Sequence, residues 1–338
     1  MSTDLVRYAL NGPTMGTRWS ALVDAPASTA HDALRDALAG VVDQVDRQMS
    51  TWKPDSDLMR MNAAPPGVWV DLPPALMQVL AKGLEIGRAS NGAFDIGVGD
   101  LVDAWGFGPQ AADPEAIRAH LGRSRPPAHE LLELDAARCR ARKHGRLRLD
   151  LSGIAKGYAV DRMMAAIESL GIASALVSLD GELRAKGVQA DGRPWAVAVE
   201  RPDYEMRAPM SVLTLQDAAV ATSGDYRHWV DVGRARLSHT MNPRTGGPLS
   251  NGVASVTVLA KTCMEADAWA TALMVMGAAA GAVFAEARGL NALYIVRTGS
   301  GLAQHPVGPV FAPGRSDGRR QQHRSPLAAR PRRGADLL

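Results

Sequence analysis

A carboxylate, a run of small residues and a lysine follow one another where a strand is expected to give way to a helix. The segment runs from Asp150 through Ser152 and Gly153 to Lys156, and an amphipathic stretch follows over Gly157–Leu170. The start of a helix offers free N–H groups and a positive dipole end, which favour a phosphate or a polar ring edge. The Walker A spacing of a P-loop is missing. A tight strand-to-helix turn without a ligand accounts for the segment equally well.

A histidine and an acidic helix start supply further groups that could do chemistry. His239 opens the stretch that ends at Gly246, and an imidazole can act as a general base because it titrates near working pH. Asp267 and Thr271 are four residues apart, so a helix places both oxygens on one face, where they suit a hard cation such as Mg2+. The alternatives are a loop histidine without a chemical role, an acid that stabilises a helix N-terminus, and a threonine that bonds back to its own helix.

Two loops carry groups suited to flat rings. Gly92–Gly108 is rich in glycine and almost without periodicity, so we expect it to wrap around something, and its backbone amides suit a purine edge. Trp52 lies in a polar stretch and is suited to stacking on a ring. A surface loop and a packed tryptophan are the alternatives.

The elements that must position these groups are mixed helices and strands. Apolar residues recur at helical spacing over residues 28–49, Pro73–Ser90, Gly157–Leu170, Ala266–Met276 and Ala279–Arg288. Ser28 is the predicted N-cap of the first helix. Strands are predicted at Val6–Leu10 and Arg18–Val23, around a turn at Asn11-Gly12-Pro13, and at Arg146–Leu151. Because regular βαβ alternation is missing, the pattern indicates an α+β fold.

The net charge of +3 in 338 residues is concentrated at the C-terminal end of the chain. The last 26 residues hold seven arginines and two aspartates, which leaves residues 1–312 with a net charge of −2. A generally basic, nucleic-acid-binding body is therefore excluded. The length allows one large domain or two smaller ones, and the composition predicts a disordered, Arg-rich tail over residues 313–338.

Apolar runs and cysteines bear on the compartment. No run approaches the roughly 18 apolar residues of a membrane span, and the first residues lack the apolar region of a secretory signal. Cys139 and Cys263 stand alone, so neither a disulfide framework nor a zinc knuckle is indicated. We expect a cytoplasmic protein from the sequence as written, and a periplasmic one if an export signal has been trimmed from it.

Seven short motifs together resemble the ApbE family of FAD:protein FMN transferases in order and spacing. They are Thr14–Thr17, Met49–Asp57, Ala93–Asp95, Asp150–Asp161, Ser223–Tyr226, His239–Gly246 and Ala266–Thr271, within a resemblance over roughly residues 6–305. It implies a single ApbE-like domain over residues 1–312, with a T-fold-like α+β fold of mixed and antiparallel sheets flanked by helices. It also implies Mg2+-dependent transfer of FMN from FAD to a threonine hydroxyl of an acceptor protein, with release of AMP.

The resemblance implies a role for individual residues of this sequence. Asp267, Thr271 and the backbone carbonyl of Gly153 would hold Mg2+, and Asp150 and Lys156 would bind FAD. The residues implied at the two ring systems are Ala93, Phe94 and Asp95 on the adenine side, Met15 and Met241 at the flavin, and Trp52 as a stacking or gating ring.

The resemblance also implies that His239 is the base that activates the acceptor threonine. Two positions of this sequence depart from the family pattern. Asp180 stands where the family usually has glycine, which affects the expected shape of that loop, and Trp52 stands where tyrosine is common. Two alternatives to the transferase remain at this point. One is a Mg2+-dependent FAD pyrophosphatase that yields FMN and AMP, and the other is an FAD-binding protein without catalysis.

Overall fold

The computed structural model describes residues 5–227, 229–232 and 235–312, and the predicted disordered tail lies outside them. The strands are β1 (Leu5–Thr14), β2 (Thr17–Pro26), β3 (Trp69–Asp71), β4 (Leu132–Asp135), β5 (Arg140–Lys143), β6 (Ser174–Leu179), β7 (Glu182–Lys186), β8 (Trp195–Glu200), β9 (Pro209–Leu215), β10 (Ala218–Gly224), β11 (Trp229–Val232), β12 (Ala235–Ser238), β13 (Met241–Asn242), β14 (Gly247–Pro248), β15 (Val253–Ala260), β16 (Asn291–Thr298) and β17 (Gly301–Val307). The helices are α1 (His31–Met49), α2 (Asp57–Ala63), α3 (Pro74–Ala89), α4 (Gly99–Ala104), α5 (Pro114–His120), α6 (Ala128–Leu131), α7 (Ala155–Ser169), α8 (Cys263–Met276) and α9 (Ala278–Ala287).

A long antiparallel sheet forms the centre of the described chain. Its eight strands lie in the order β1-β2-β6-β7-β10-β15-β16-β17, and each neighbouring pair is antiparallel. A three-stranded sheet, β3-β5-β4, and three strand pairs lie outside it. The architecture confirms the α+β prediction. None of the helices in the described ranges is both long and apolar enough to cross a bilayer.

The two faces of the long sheet are covered differently. Alternate residues of β6, namely Ala175, Val177 and Leu179, join the main core, to which α1, α7 and α8 contribute their buried faces. The intervening Leu176 packs on the opposite side, in a smaller cluster built on Trp195 of the β8–β9 hairpin. Because side chains alternate across a strand, helices cover one face and a hairpin covers the other.

The predicted helices are confirmed to within three residues at each end, whereas three local predictions are wrong. Ala30, not Ser28, precedes α1, and no side chain caps that helix. The first hairpin continues through residues 11–13 and turns at Met15 and Gly16, whose φ angles are 45° and 71°. Residues 146–151 form no strand, and Arg148 makes only an isolated bridge to Val98. The missed turn has a physical reason, since a two-residue turn with positive φ matches the twist of the paired strands.

Helices α7 and α8 meet at an unusually close contact. A Cβ on Gly157 would lie 2.8 Å from the Cβ of Asp267 and closer still to the carbonyl of Cys263. The glycine is therefore required by the backbone of the neighbouring helix, and the contact sets where the start of α7 stands relative to Asp267.

Gly157→Ala should destabilise the protein by about 1–3 kcal/mol, because the added methyl group forces the two helices apart. Gly40→Ala is the matched control, since Gly40 also lies within a helix but has open space around its Cβ position. That control should stabilise the protein by about 0.5–1 kcal/mol. Urea unfolding measures both, and equal effects of the two substitutions would contradict the packing argument.

Candidate functional site

The start of α8 is fixed by side chains on both sides of it. Thr262 accepts a hydrogen bond from the backbone N–H of Glu265 and donates its hydroxyl to the Glu265 carboxylate. Asp161 of α7 accepts hydrogen bonds from the N–H groups of Cys263 and Met264, both at 2.9 Å. Helix starts leave such N–H groups without intrahelical partners, so these contacts hold α8 in one position against α7.

Asp267 and Thr271 then lie one helical turn apart at the point where α8 faces the start of α7. Asp267 is 4% exposed, and its Oδ2 accepts a hydrogen bond of 3.0 Å from the N–H of Gly157. A Cβ on Gly153 would lie 3.1 Å from Thr271 Oγ1, so the backbone of the turn before α7 passes close to this hydroxyl. The structure thus brings the three residues of the predicted metal site together.

Lys156 lies beside this group, between two carboxylates of the β6–β7 turn. Its Nζ is 3.0 Å from Oε1 of Glu182 and 3.2 Å from Oδ2 of Asp180. Glu182 is almost fully buried, and its Oε2 has no hydrogen-bond partner among the described residues. The result is a cluster of one ammonium and several carboxylates, which we call the Lys156 cluster: Lys156, Asp180, Glu182 and Asp267.

Burial shapes the protonation of the Lys156 cluster. Burial, together with the nearby carboxylate of Glu182, raises the pKa of Asp267 to about 8. Burial also raises the pKa of Glu182. Burial alone would lower the pKa of Lys156, but Glu182, Asp267 and Asp180 outweigh it and raise that pKa instead, so Lys156 stays charged. One ammonium cannot balance the charge of three ionised carboxylates. A further cation bound here would therefore be stabilised by the remaining negative charge.

The donor set around Asp267 fits Mg2+. A carboxylate, a hydroxyl and a backbone carbonyl are hard oxygen ligands, and Mg2+ usually takes few of them from the protein and the rest from water and phosphate. Within the described ranges, no group of three or more His, Cys, Asp or Glu residues is placed to hold a metal. A cation here would therefore depend on Asp267 as its main charged ligand from the protein.

The Ala93–Asp95 loop lies against the same turn. The Asp150 N–H donates to the carbonyl of Ile96 at 2.8 Å, and a Cβ on Gly153 would lie 3.3 Å from the Phe94 ring. Asp95 Oδ1 accepts hydrogen bonds from the N–H groups of Gly97 and Ala128, which shape the loop. Its Oδ2 is buried without a partner among the described residues. Asp95 is therefore held by one oxygen and has the other available for a ligand.

Asp150 is buried at the beginning of the turn that leads to α7. Its Oδ1 accepts a hydrogen bond of 2.9 Å from the N–H of Ser152. Burial raises the pKa of Asp150, as it does that of Asp95. The hydrogen bond gives Asp150 a structural part in the turn, and its predicted contact with FAD stays a prediction.

His239 and Met241 lie on the segment that leads into the short β13–β14 pair. The ring of His239 meets that of Phe107 edge to face, with 6.4 Å between centroids. Met241 is buried, and the next residue, Asn242, lines a cleft of about 280 Å³ together with Ala93. The glycine-rich stretch predicted to wrap around something thus reaches the histidine segment.

Met15, predicted at the flavin, and Trp52, predicted as a stacking or gating ring, lie in two separate loops. Met15 occupies the β1–β2 turn, at the same end of the sheet as Asp180, whose N–H donates to the carbonyl of Arg18. Trp52 follows α1 and is 65% exposed. An exposed indole is available to stack on a ring, and the stacking role stays a prediction.

Three residues of the site carry roles that the sequence interpretation missed. Glu182 and Asp180 flank Lys156, and Ser223 Oγ lies 3.1 Å from Thr271 Oγ1. Ser223 falls within a recognised motif but was given no chemical role. The acidic Glu182 directly after the Asp180-Gly181 turn is the available signal, since a charged residue in a central strand calls for a partner.

Comparison with known proteins places this chain and its fold in one family. The ApbE family model matches residues 15–294. The FAD:protein FMN transferase of Vibrio cholerae is 36% identical over 310 residues, which cover 88% of this chain and 89% of that protein. The protein of the same name from Escherichia coli K12 is 34% identical over 86% of this chain and 84% of its own length.

Solved structures agree with the sequence relatives. The flavin transferase ApbE from Vibrio cholerae superposes with a TM-score of 0.79 at 34% identity, over 90% of this chain and 97% of its own. The apo form of the Pseudomonas stutzeri flavinyl transferase ApbE gives a TM-score of 0.81 at 34% identity, over 92% and 98% of the two chains. The chain is therefore an enzyme of the transferase class. It belongs to the ApbE family.

The raised pKa of Asp267 predicts how the metal-free protein responds to pH. The folded carboxyl keeps a proton that the unfolded chain releases above its ordinary pKa of 3.8, so this group's contribution to stability is lost as pH rises through about 8. Asp267→Asn removes this linkage and can still accept from Gly157. The variant should lose less stability between about pH 5 and about pH 8, by at least about 1.4 kcal/mol, one pKa unit.

Urea unfolding in the presence of a chelator, at both pH values, measures this difference. Asp24→Asn is the control, because the hydrogen-bonded guanidinium of Arg7 lowers the pKa of Asp24 below its ordinary value of 3.8. The contribution of Asp24 is therefore fully present at both pH values, so this variant should be weakened equally at about pH 5 and about pH 8. Parallel stability profiles for wild type and Asp267→Asn would contradict the assignment.

Proposed function

We propose that this protein transfers FMN from FAD to a threonine hydroxyl of an acceptor protein, in a Mg2+-dependent reaction that releases AMP. The observation that carries the proposal is the convergence of Asp267, Thr271, Gly153 and Lys156 where α7 and α8 meet. The relatives named FAD:protein FMN transferase support the choice of donor and acceptor.

The donor set described above assigns the metal ligands of this proposal. Asp267, Thr271 and the carbonyl of Gly153 would hold Mg2+. When bound, the ion supplies positive charge to the pyrophosphate oxygens and to the departing AMP. The buried Asp267 carboxylate favours its protonated form without such a cation, so metal and proton compete for the same oxygen.

The protein's own groups would bind and orient FAD. The Lys156 ammonium remains charged and partly exposed, so it is available to a phosphate oxygen, while Asp150 shapes the adjacent turn. Ala93, Phe94 and Asp95 would contact the adenine side, where one oxygen of Asp95 is buried and has no hydrogen-bond partner in the described part of the chain. Met15 and Met241 would line the flavin site, and Trp52 would stack on a ring or gate the site.

His239 would serve as the general base. It takes the proton of the acceptor threonine as the threonine oxygen bonds to the phosphorus of the FMN half, while the bond from that phosphorus to the AMP oxygen breaks. Contact with Phe107 limits the orientation of the imidazole. Most of the rate enhancement then comes from positioning and electrostatic stabilisation.

His239→Ala should lower the rate of flavin transfer by about 10²- to 10⁴-fold, the usual contribution of a general base. The assay incubates the protein with FAD, Mg2+ and an acceptor that carries a flavinylation threonine, and follows the fluorescent acceptor band on a denaturing gel. His305→Ala is the control, because His305 lies exposed on β17 and should leave the rate unchanged.

The same assay separates the alternative functions. Release of FMN and AMP at a useful rate without any labelled acceptor would favour the pyrophosphatase. Binding of FAD with neither a labelled acceptor nor release of FMN and AMP would favour an FAD-binding protein without catalysis. No labelled band with several acceptors would contradict the transferase proposal.

Ser223→Ala should weaken Mn2+ binding by about tenfold, using Mn2+ as a probe for the metal site. Ser223 Oγ is placed to accept the proton of Thr271, which leaves the lone pairs of Thr271 for the cation. Thr222→Val is the matched control, because Thr222 bonds to the hydroxyl of Thr257 on the adjacent strand. Electron paramagnetic resonance measures the affinity, and equal values for both variants would contradict the role of Ser223.

A further inference from the structure

Asp180 occupies a backbone position that favours glycine. It is the first of two residues in the β6–β7 turn, between the paired Leu179 and Glu182, and its φ angle is 57°. Glycine reaches this region without a steric penalty, whereas aspartate is merely tolerated there. Hairpin turns of this kind accept glycine, asparagine or aspartate at this position, so what distinguishes the aspartate is the charge of its side chain.

The side chain of Asp180 makes the more exposed of two ion pairs on Lys156. The Asp180 side chain is 32% exposed and that of Lys156 is 27% exposed, whereas that of Glu182 is 4% exposed. Breaking the Glu182 pair would leave a buried charge without a partner, which is strongly unfavourable. Breaking the Asp180 pair exposes a carboxylate that water can solvate, at a small free-energy difference. Lys156 can therefore exchange Asp180, and not Glu182, for another anion.

We propose that Asp180 sets the affinity for the anionic substrate by occupying Lys156 in the free enzyme. The inference rests on the proposed function, in which a pyrophosphate oxygen of FAD meets Lys156. When FAD binds, its phosphate replaces Asp180 at the ammonium, and Glu182 keeps the lysine in place. The released carboxylate then lies beside the phosphate and opposes binding by like-charge repulsion. Asp180 is thus a specificity-determining residue that acts on affinity, and it takes no part in the bond changes.

Asp180→Asn and Asp180→Gly test this proposal by titration of the full-length protein with FAD in Mg2+ buffer, followed by flavin fluorescence. Both variants should lower the Kd for FAD by about two- to fivefold, the range expected for an exposed ion pair. The gain should shrink at high ionic strength, where exposed charges are screened. With an acceptor present, KM for FAD should fall while kcat stays unchanged.

Asp217 offers a matched control in the same protein. It also has a positive φ, 50°, and its carboxylate is 3.6 Å from Lys186 Nζ at the far end of β7. Asp217→Asn and Asp217→Gly make the same changes in charge beside Lys186, which lies about 13 Å along β7 from Glu182. They should leave the Kd for FAD unchanged. Asp217 Oδ1 accepts a hydrogen bond from the N–H of Gly187, which asparagine can keep and glycine loses, so asparagine is the closer match at this position. Asp180→Gly should raise Tm relative to Asp180→Asn, which separates relief of strain from the change in affinity.

An unchanged Kd in both Asp180 variants would overturn the proposal. A higher Kd would also overturn it, because Asp180 would then hold Lys156 in its binding position. An equal fall in Kd for the Asp217 variants would mean that the effect comes from the net charge of the protein. It would contradict the replacement of Asp180 by phosphate at Lys156. Wild-type protein that binds no FAD would contradict the proposed function itself, whereas FAD binding with equal Kd values contradicts only the role of Asp180.

Discussion

The close contact between α7 and α8 is the constraint on which the site depends. Gly157 lets the start of α7 approach α8, so that its N–H reaches the buried carboxylate of Asp267. Asp161 and Thr262 hold the other helix start in register. Because one glycine and a few capping bonds fix both helix starts, the oxygens of Asp267 and Thr271 and the ammonium of Lys156 are positioned before any ligand arrives.

The buried carboxylates of the Lys156 cluster are electrostatically unfavourable unless additional positive charge is present. The carboxylates of Asp267 and Glu182 are buried, and a single lysine lies between them and Asp180. Burial raises the pKa of both buried acids, so each prefers to be neutral unless positive charge is supplied. The chain outside its basic tail carries a net charge of −2, so attraction for an anionic substrate has to be local. The ammonium of Lys156 is placed to supply it, and the cation proposed at Asp267 would add to it.

Much of this arrangement could be predicted from the sequence because it depends on local patterns. Helix periodicity located α3, α7, α8 and α9, and spacing by four placed Asp267 and Thr271 on one face. The missed features depend on tertiary contacts or on backbone angles. No local pattern indicates that Met15 takes a positive φ, or that Ser223 on β10 lies beside Thr271 of α8.

Glu182 shows most clearly that contacts between distant segments cannot be predicted from local sequence patterns. Its side chain meets Lys156 only because β7 pairs with β6 and β10 beneath the start of α7. The sequence interpretation treated the neighbouring Asp180 as a change in loop shape alone, whereas the structure gives it a partner in the site. A residue that departs from a pattern is thus best interpreted after its contacts are known.

The most direct test of the account measures AMP and modified acceptor in the same reaction. Mass spectrometry of the acceptor locates the added FMN, and chromatography of the mixture measures the AMP released. The account predicts one AMP for each threonine that gains FMN through a phosphoester bond, with neither product formed when metal is chelated. Release of AMP with no FMN on the acceptor, or FMN attached without AMP, would contradict it.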